Sequence, residues 1–296
     1  MKKKIIFKGA ASALITPFRD GEIDYGALEK IIEAQIGGGI DALVIGGTTG
    51  EAATLTDKER ERLYYFAMEK ISHRVPLILG TGCNDTKKAL EHTRLANRVG
   101  CDGTLAVTPY YNKGTEEGIF RHYMTLAEAS DSPLMLYNVP SRTGVNLGIN
   151  LLSRLGEHQN IVAIKEASDT VDRLVMVSSL SESLGLYAGN DSQIYPVLSL
   201  GGAGVISVVS NLLPRTVRDL CQRYFCKEHK KSLGIQLKLL PLISALFAET
   251  NPSPVKYAMS RLGYCSDEVR LPLDVPREST RAQIDLCLSE LRELTE

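Results

Sequence analysis

A lysine at the end of an apolar run is the first residue whose setting suits chemistry. The stretch IVAIKEAS, residues 161–168, places four apolar residues before Lys165. Such a run predicts a short buried strand, and alternation puts Lys165 on the same face as Ile161 and Ala163. If that face is interior, the ammonium loses hydration and the neutral, nucleophilic amine becomes easier to reach. The alternative is a lysine that extends from a strand end into water.

Other apolar runs are also followed by groups that can bind or transfer protons. GGTTGE, residues 46–51, combines two hydroxyls with backbone N–H groups that suit a carboxylate or phosphate, although it lacks the Gly-Lys-Ser/Thr ending of a P-loop. A tight turn with capping hydroxyls is the alternative. Residues 108–113 and 137–144, TPYYNK and YNVPSRTG, supply tyrosines and an arginine that can clamp a carboxylate. Each of these alone is also compatible with packing or a solvated charge.

Two later segments contain glycines that would let a small ligand approach the backbone, residues 189–191 and 204–207. A barrel mouth formed by all these segments would hold a lysine, tyrosines, paired threonine hydroxyls and an arginine. No histidine or carboxylate cluster accompanies them, so neither a metal nor a cofactor is expected. The set suits carbonyl chemistry, in which the amine condenses with a ketone, the iminium withdraws electrons and hydroxyls move protons.

These segments must be positioned by a repeating pattern of strands and helices. Apolar, β-rich runs recur at Ala11–Ile15, Ala42–Ile45, Pro76–Leu79, Gly103–Val107, Leu134–Tyr137, Ile161–Ile164, Leu186–Ala188 and Val205–Val208. Helical periodicity lies between most of them, and residues 56–59 predict a capping box that opens one helix. Eight such repeats within residues 1–226 predict an α/β fold, a closed (β/α)8 barrel, with its chemistry at the carboxyl ends of the strands.

The last 70 residues differ from the barrel, because no strong strand pattern follows residue 226. Residues 227–296 instead predict a C-terminal domain of three helices, at Leu233–Phe247, Pro252–Leu262 and Arg277–Leu294. No flexible linker separates it, so it is expected to pack on the barrel.

Composition excludes several classes of partner. The 296 residues are 44% hydrophobic, with 34 basic and 35 acidic residues and a net charge of -1, which predicts no nucleic-acid or anionic-membrane surface. No apolar stretch is long enough for a membrane span, and the run at residues 5–7 is too short for a signal peptide. Six cysteines without CxxC pairs predict reduced thiols and a cytoplasmic location.

Six motifs in this order resemble the dihydrodipicolinate synthase family over nearly the whole chain. They are GTTGEAATL, TPYYNK, YNVPSRTG, IVAIKEAS, GGAGVISV and NPSPVKYA. YNVPSRTG is the most telling, since related N-acetylneuraminate lyases and sugar-acid aldolases usually lack its serine-arginine pair. The resemblance implies a (β/α)8 barrel with a C-terminal helical domain, usually a homotetramer. It implies condensation of pyruvate with L-aspartate 4-semialdehyde, in lysine and diaminopimelate biosynthesis.

The same resemblance assigns the catalytic roles. Lys165 would form a Schiff base with pyruvate, and the derived enamine would attack the aldehyde. Tyr137 would donate and accept protons, linked through Thr48 to Tyr111. In the family the residue matching Tyr111 crosses into the neighbouring subunit's site. Lys256, in the structural motif NPSPVKYA, is not expected to be the nucleophile.

It also assigns the binding roles. Thr49, the backbone of Thr48 and the main chain around Ile206 would hold the pyruvate carboxylate, and Gly189 would line the same site. Arg142 would hold the carboxylate of the semialdehyde.

A departure from the family concerns feedback by lysine. In lysine-inhibited members a glutamate and a histidine help to bind the effector, and the matching positions are Lys88 and Arg60. Two cations would repel the ammonium groups of lysine, so weak or absent feedback is predicted, although Asn84 and Tyr110 match the same site.

Two other functions are weighed against the synthase. The first is another pyruvate-lysine aldolase that acts on a sugar acid, for which Arg142 would need a different role. The second is a catalytically silent sensor of keto acids, whose expected signature is loss of the lysine or tyrosine, and both are present.

Overall fold

The computed structural model describes residue 3 and residues 5–293, and for residues 291–293 only the backbone. Eight parallel strands close into one barrel in sequence order, so that each strand pairs with its neighbours in the chain and β8 pairs with β1. The strands are β1 (Gly9–Ala13), β2 (Ala42–Ile45), β3 (Leu77–Gly80), β4 (Gly103–Val107), β5 (Leu134–Asn138), β6 (Ile161–Glu166), β7 (Gly185–Ala188) and β8 (Gly204–Ser207). The predicted (β/α)8 barrel is confirmed.

Helices follow the strands around the outside of the barrel. They are α1 (Tyr25–Gly37), α2 (Asp57–Ile71), α3 (Thr86–Val99), α4 (Glu116–Ala129), α5 (Pro140–Thr143), α6 (Ile149–Gly156), α7 (Val171–Ser178), α8 (Ile194–Ser199) and α9 (Pro214–Phe225). The predicted capping box opens α2. The Thr56 N–H donates to Glu59 Oε2 at 2.8 Å, and the Thr56 hydroxyl accepts from the Glu59 N–H at 3.3 Å.

The strand that carries Lys165 is longer than predicted. Residues 165 and 166 continue β6, because Lys165 pairs with Tyr137 of β5 on one side and with Tyr187 of β7 on the other. The pairing with β5 also slips by one residue near its start, opposite Val162. That irregularity breaks simple alternation, so Ile161 packs in the layer between strands and helices instead of the barrel interior, and its predicted face is wrong.

A short antiparallel hairpin was not predicted. Phe18–Arg19 pairs with Glu22–Ile23 across a turn at Asp20 and Gly21, both with positive φ. Strands of two residues carry too little periodicity to be recognised in sequence.

Three helices follow the barrel, at α10 (His229–Leu246), α11 (Ser253–Arg261) and α12 (Glu278–Glu293). All three predicted helices are present, with α10 beginning four residues earlier than expected. The predicted end of the last one, Leu294, lies outside the described residues. Helix α10 packs against α9 and α12, so the C-terminal helices continue the barrel's outer layer. The domain boundary after residue 226 stays a prediction.

Two apolar layers result from this arrangement. One fills the space between strands and helices. The other fills the barrel interior and includes Ala11, Ile78, Met135, Ala163 and Ile206, together with the ring of Tyr137. The interior is a packed core, so the open space lies above it, at the carboxyl ends of the strands.

Candidate active site

A cavity of about 930 Å³ opens at the carboxyl ends of the strands. Six of the predicted site residues line it, namely Thr48, Thr49, Tyr137, Arg142, Lys165 and Gly189. A second cavity of about 490 Å³ adjoins it and shares Thr48, Tyr137 and Arg142. The structure therefore brings together residues that come from the ends of four different strands, β2, β5, β6 and β7.

Lys165 lies at the floor of the larger cavity and is only 5% exposed. Its Nζ stands 4.3 Å from the centroid of the Tyr137 ring, close enough for a cation–π contact. The backbone explains this proximity, because the two residues are direct partners in the β5–β6 pairing. In the described part of the chain, the ammonium has no ion-pair partner.

A buried acid, Asp191, lines the same cavity as the lysine and was not singled out in the sequence. Its Oδ2 accepts hydrogen bonds from the N–H groups of Val208 at 2.9 Å and Val209 at 3.1 Å. Burial raises the pKa of the Asp191 carboxyl, and these hydrogen bonds and the nearby Lys165 charge oppose that effect. Asp191 thus fastens the loop after β7 to the residues that follow β8. Its place directly after a strand end was the signal that could have found it.

The loop with the paired threonines is held by its own turn and by the C-terminal segment. Gly46 has a φ of 68°, and a Cβ there would lie 2.3 Å from the Tyr64 hydroxyl oxygen, so glycine is required. The Thr49 hydroxyl accepts a hydrogen bond from Asn251 Nδ2 at 3.0 Å. Two residues later, Glu51 forms a buried ion pair with Lys256 at 2.6 Å. These contacts hold the Thr49 hydroxyl and the loop that carries it at the cavity.

Arg142 is tied to the same C-terminal residue. It lies in the short helix α5, and its Nη2 donates to the backbone oxygen of Asn251 at 3.0 Å. Arg142 lines both cavities, and its remaining guanidinium N–H groups can bind a carboxylate there in bidentate fashion. Asn251 was quoted in the sequence only as part of a structural motif, and its contacts to both Thr49 and Arg142 depend on the tertiary fold.

Two predicted site residues do not line either cavity. Tyr111 is 89% exposed and has a φ of 70°, so within this chain it is not brought to Tyr137. Ile206 is fully buried in β8 within the barrel interior, so its side chain is a core residue and only its backbone could reach a ligand.

Three of the four residues predicted to match the effector site of lysine-inhibited family members line the smaller cavity. Arg60, Lys88 and Tyr110 line it. The Lys88 ammonium pairs with Asp57 at 2.5 Å, and Arg60 donates to the Tyr64 hydroxyl and the Ala52 carbonyl. The fourth residue, Asn84, accepts a hydrogen bond on its backbone oxygen from Asn112 Nδ2. Among the described residues, the wall of this cavity carries the cations of Arg60 and Lys88 and the acids Asp57 and Glu51, of which Glu51 pairs with Lys256.

His92 also lines the smaller cavity, and no hydrogen-bond partner is found for its ring nitrogens among residues 5–293. Burial lowers the pKa of His92 to about 4, with the charges of Arg60 and Lys88 acting in the same direction. The ring is consequently neutral at physiological pH.

Within the described residues, no three His, Cys, Asp or Glu side chains are placed to share a metal ion. No described helix combines the length and apolar character that a membrane crossing needs.

Comparison with known proteins identifies the family. The sequence profile of the Dihydrodipicolinate synthetase family matches residues 6–291. The 4-hydroxy-tetrahydrodipicolinate synthase of Clostridium novyi (strain NT) is 45% identical over 269 residues, which are 90% of this chain and 91% of that protein. The crystal structure of dihydrodipicolinate synthase from Thermotoga maritima matches with a TM-score of 0.95 and 40% identity, covering 97% of this chain and 99% of that one. A monomeric dihydrodipicolinate synthase variant matches with a TM-score of 0.94 and 40% identity, over 96% of this chain and 97% of the other. The chain therefore belongs to the dihydrodipicolinate synthetase family.

Proposed function

We propose that the protein condenses pyruvate with L-aspartate 4-semialdehyde through a Schiff base on Lys165, giving 4-hydroxy-tetrahydrodipicolinate for lysine and diaminopimelate biosynthesis. The observation that carries the proposal is the placement of a buried lysine, with no ion-pair partner among the described residues, against Tyr137 at the floor of the larger cavity. The curated relatives bear the name of this activity.

The first half of the proposed reaction activates pyruvate. The neutral Lys165 amine attacks the ketone carbon, and the resulting carbinolamine loses water to form an iminium ion. The positive nitrogen then draws electrons from the neighbouring methyl group, which loses a proton and leaves an enamine. Tyr137, whose ring lies 4.3 Å from Nζ, is the group placed to carry protons in these steps.

Pyruvate is held by its carboxylate in this proposal. Thr49 and the backbone of Thr48 present donors at one side of the cavity. The proposal also assigns a backbone contact to the main chain around Ile206, whose side chain is buried in the barrel interior. Gly189 completes the site because a Cβ there would stand 2.6 Å from the Ala167 Cβ, so only glycine lets the chain pass.

The second half joins the two substrates. The enamine carbon attacks the aldehyde carbon of the semialdehyde, forming a carbon–carbon bond, and Tyr137 protonates the alkoxide. The substrate's own amino group then attacks the iminium carbon and displaces the lysine, which closes the ring and frees Lys165. Arg142 orients the incoming aldehyde through its carboxylate.

We further propose a cytoplasmic homotetramer in which Tyr111 completes the relay through Thr48 of a neighbouring copy. Tyr111 is 89% exposed, and α7 presents exposed apolar side chains at Val171, Val175 and Met176. All six cysteines are free thiols, as expected in a reducing compartment. A monomeric variant among the structural neighbours makes sedimentation analysis the necessary test. A monomeric mass with full activity would contradict this part of the proposal.

The direct test traps the Schiff base. The intact protein is incubated with pyruvate and borohydride and then weighed by mass spectrometry, with Lys165→Ala as the control. The expected result is a single reduced-pyruvate adduct that maps to Lys165 and is missing from the variant. Absence of an adduct on the wild type would overturn the Schiff-base mechanism. Product formation from the semialdehyde then identifies the second substrate.

A further inference from the structure

A fully buried acid directly follows the lysine in β6. Glu166 is 0% exposed, and strand alternation turns its side chain to the opposite face from Lys165, toward the surrounding helices. One carboxylate oxygen accepts from Asn138 Nδ2 at 2.8 Å and from the Ser168 N–H at 3.2 Å. The other accepts from Arg173 Nε at 3.2 Å. The carboxylate thus has three protein donors and does not face the substrate cavity.

These contacts close into a ring. Asn138 Oδ1 accepts from the Leu147 N–H at 3.1 Å, and Arg173 Nη2 donates to the Leu147 carbonyl at 2.7 Å. Glu166 bonds to both Asn138 and Arg173, so the four residues form a closed circuit, which we call the support ring. Arg173 is 8% exposed, so water competes little for these hydrogen bonds.

The support ring joins the segments that carry the reacting groups. Asn138 follows Tyr137 at the end of β5, and Glu166 follows Lys165 at the end of β6. Leu147 lies in the segment that leaves α5, where Arg142 sits. We propose that Glu166 is a positioning residue that sets the placement of Tyr137 relative to Lys165 through the support ring. This inference rests on the proposed function.

Strand pairing alone would leave the side chains less well defined. Hydrogen bonds between β5 and β6 fix the backbone register, but this pairing ends at Asn138 and Glu166 and does not hold the segments that follow. A displacement of about 1 Å between reacting groups can cost roughly 100-fold in rate. A charge pair bonded on both sides resists such a displacement, and Arg173 balances the charge of Glu166 so that no net charge is added behind the lysine.

The test compares two ion pairs that differ in location. Glu166→Gln keeps an oxygen for Asn138 but presents an amide to Arg173. Glu59→Gln breaks the Glu59–Arg270 pair, whose two residues line neither cavity. Expected for Glu166→Gln is a kcat about 30-fold lower with both KM values within about threefold of wild type, because placement of reacting groups and not substrate binding is lost. Glu59→Gln should lower the melting temperature and keep kcat.

A graded variant guards against loss of folding. Arg173→Lys keeps the charge opposite Glu166 but cannot bond the carboxylate and the Leu147 carbonyl together, so an intermediate kcat and slower borohydride trapping of pyruvate are expected. A folded Glu166→Gln with wild-type kcat and trapping rate would overturn the inference. So would equal kcat losses in Glu166→Gln and Glu59→Gln, since those would track stability. Failure of the wild type to trap pyruvate would instead defeat the proposed function.

Discussion

Two buried lysines near the barrel mouth have similar surroundings and different partners. Lys165 is 5% exposed and Lys256 is 0% exposed, and each ammonium lies over an aromatic ring, at 4.3 Å for Tyr137 and 4.1 Å for Phe18. The Lys256 ammonium also donates to Glu51 at 2.6 Å. The Lys165 ammonium, as far as the described residues extend, has no such acid and faces the cavity. Burial beside a ring is therefore not what distinguishes a nucleophile.

An ion pair with a carboxylate is what distinguishes the structural lysine, Lys256, from the proposed nucleophile, Lys165. Burial lowers the pKa of Lys256, and Glu51 opposes that effect by stabilising the charged form. An ammonium held by a carboxylate is costly to deprotonate and is closed to a substrate. Lys256 instead fastens α11 to the loop that carries Thr48 and Thr49. The proposed reactivity of Lys165 follows from the cavity and equally from the absence, among the described residues, of a carboxylate within ion-pair distance.

Exchanging each lysine for methionine gives the largest expected effects and tests directly whether the two lysines have different roles. Lys165→Met should lower kcat by at least about 1000-fold, because no other lysine of the described residues lines the larger cavity, with little change in melting temperature. Lys256→Met should lower the free energy of unfolding by about 3–5 kcal/mol, because Glu51 is left buried and unpaired. Steady-state kinetics and urea unfolding of both variants measure the two effects.

The control is the double variant Lys256→Met/Glu51→Gln. It removes the unpaired, buried Glu51 charge and should recover part of the lost free energy of unfolding. A folded Lys256→Met that fails to form the pyruvate adduct, while Lys165→Met still forms it, would reverse the two assignments.

A variant of Arg142 tests which aldehyde substrate the cavity around Lys165 binds. Arg142→Ala removes a charge-assisted contact to a carboxylate, so catalytic efficiency with L-aspartate 4-semialdehyde should fall about 10–100-fold. Trapping of pyruvate on Lys165 should remain. Ser141→Ala, at a neighbouring cavity position, serves as the matched control. Unchanged efficiency with L-aspartate 4-semialdehyde would contradict the role of Arg142, and activity of Arg142→Ala that stays largely intact on a sugar-acid aldehyde would favour the aldolase that acts on a sugar acid.

The two buried histidines, His92 and His122, should make the free energy of unfolding depend on pH, with a smaller effect than the lysine and arginine variants. Burial lowers the pKa of His92 and of His122 from 6.5 to about 4 in each case. Since the unfolded chain binds more protons between pH 6.5 and 4, the free energy of unfolding should fall as the pH drops through that window. Urea unfolding of wild type and of His92→Gln/His122→Gln across the window measures this component.

Subtraction of the two pH curves removes contributions from acids such as Asp191 and Glu59, which both proteins share. Glu59 in particular, whose pKa Arg270 lowers from 4.5 to about 2, loses its contribution only below pH 4.5. Identical curves for the two proteins would contradict the buried, neutral state of the histidines.

The smallest expected effect is on inhibition by lysine. Lys88 and Arg60 line the smaller cavity and would repel the ammonium groups of an effector, so millimolar L-lysine should leave the rate unchanged. Initial rates with and without L-lysine test this. The variant Lys88→Glu/Arg60→His removes both cations and should gain measurable sensitivity. Strong inhibition of the wild type by sub-millimolar lysine would contradict the prediction.

Much of the fold followed from local patterns. The apolar runs located all eight barrel strands to within a few residues, because a buried parallel strand must be apolar over its whole length. Two details of the backbone were not predicted from the sequence, and both have one cause. The register slip opposite Val162 and the hairpin at Phe18–Arg19 involve too few residues to leave a periodic signal.

The sequence also located some residues of the candidate site correctly and not others. Lys165, Tyr137, Thr49 and Arg142 stand out in sequence because each follows an apolar run, and the barrel brings the ends of such runs to one mouth. Tyr111 carries the same local signal, yet it is 89% exposed and lies away from both cavities of this chain. Following a strand is therefore informative about position and does not by itself place a side chain in the site.

What only the tertiary structure decided is which polar groups pair. Glu51 meets Lys256 across 205 residues, and Asn251 meets Thr49 across 202, so no local pattern announces either contact. Composition and spacing predicted a lysine near the end of β6, at the barrel mouth. Whether a buried lysine is neutralised by an acid or left facing a cavity depends on chain segments far away in sequence, because charges interact through space and not along the chain.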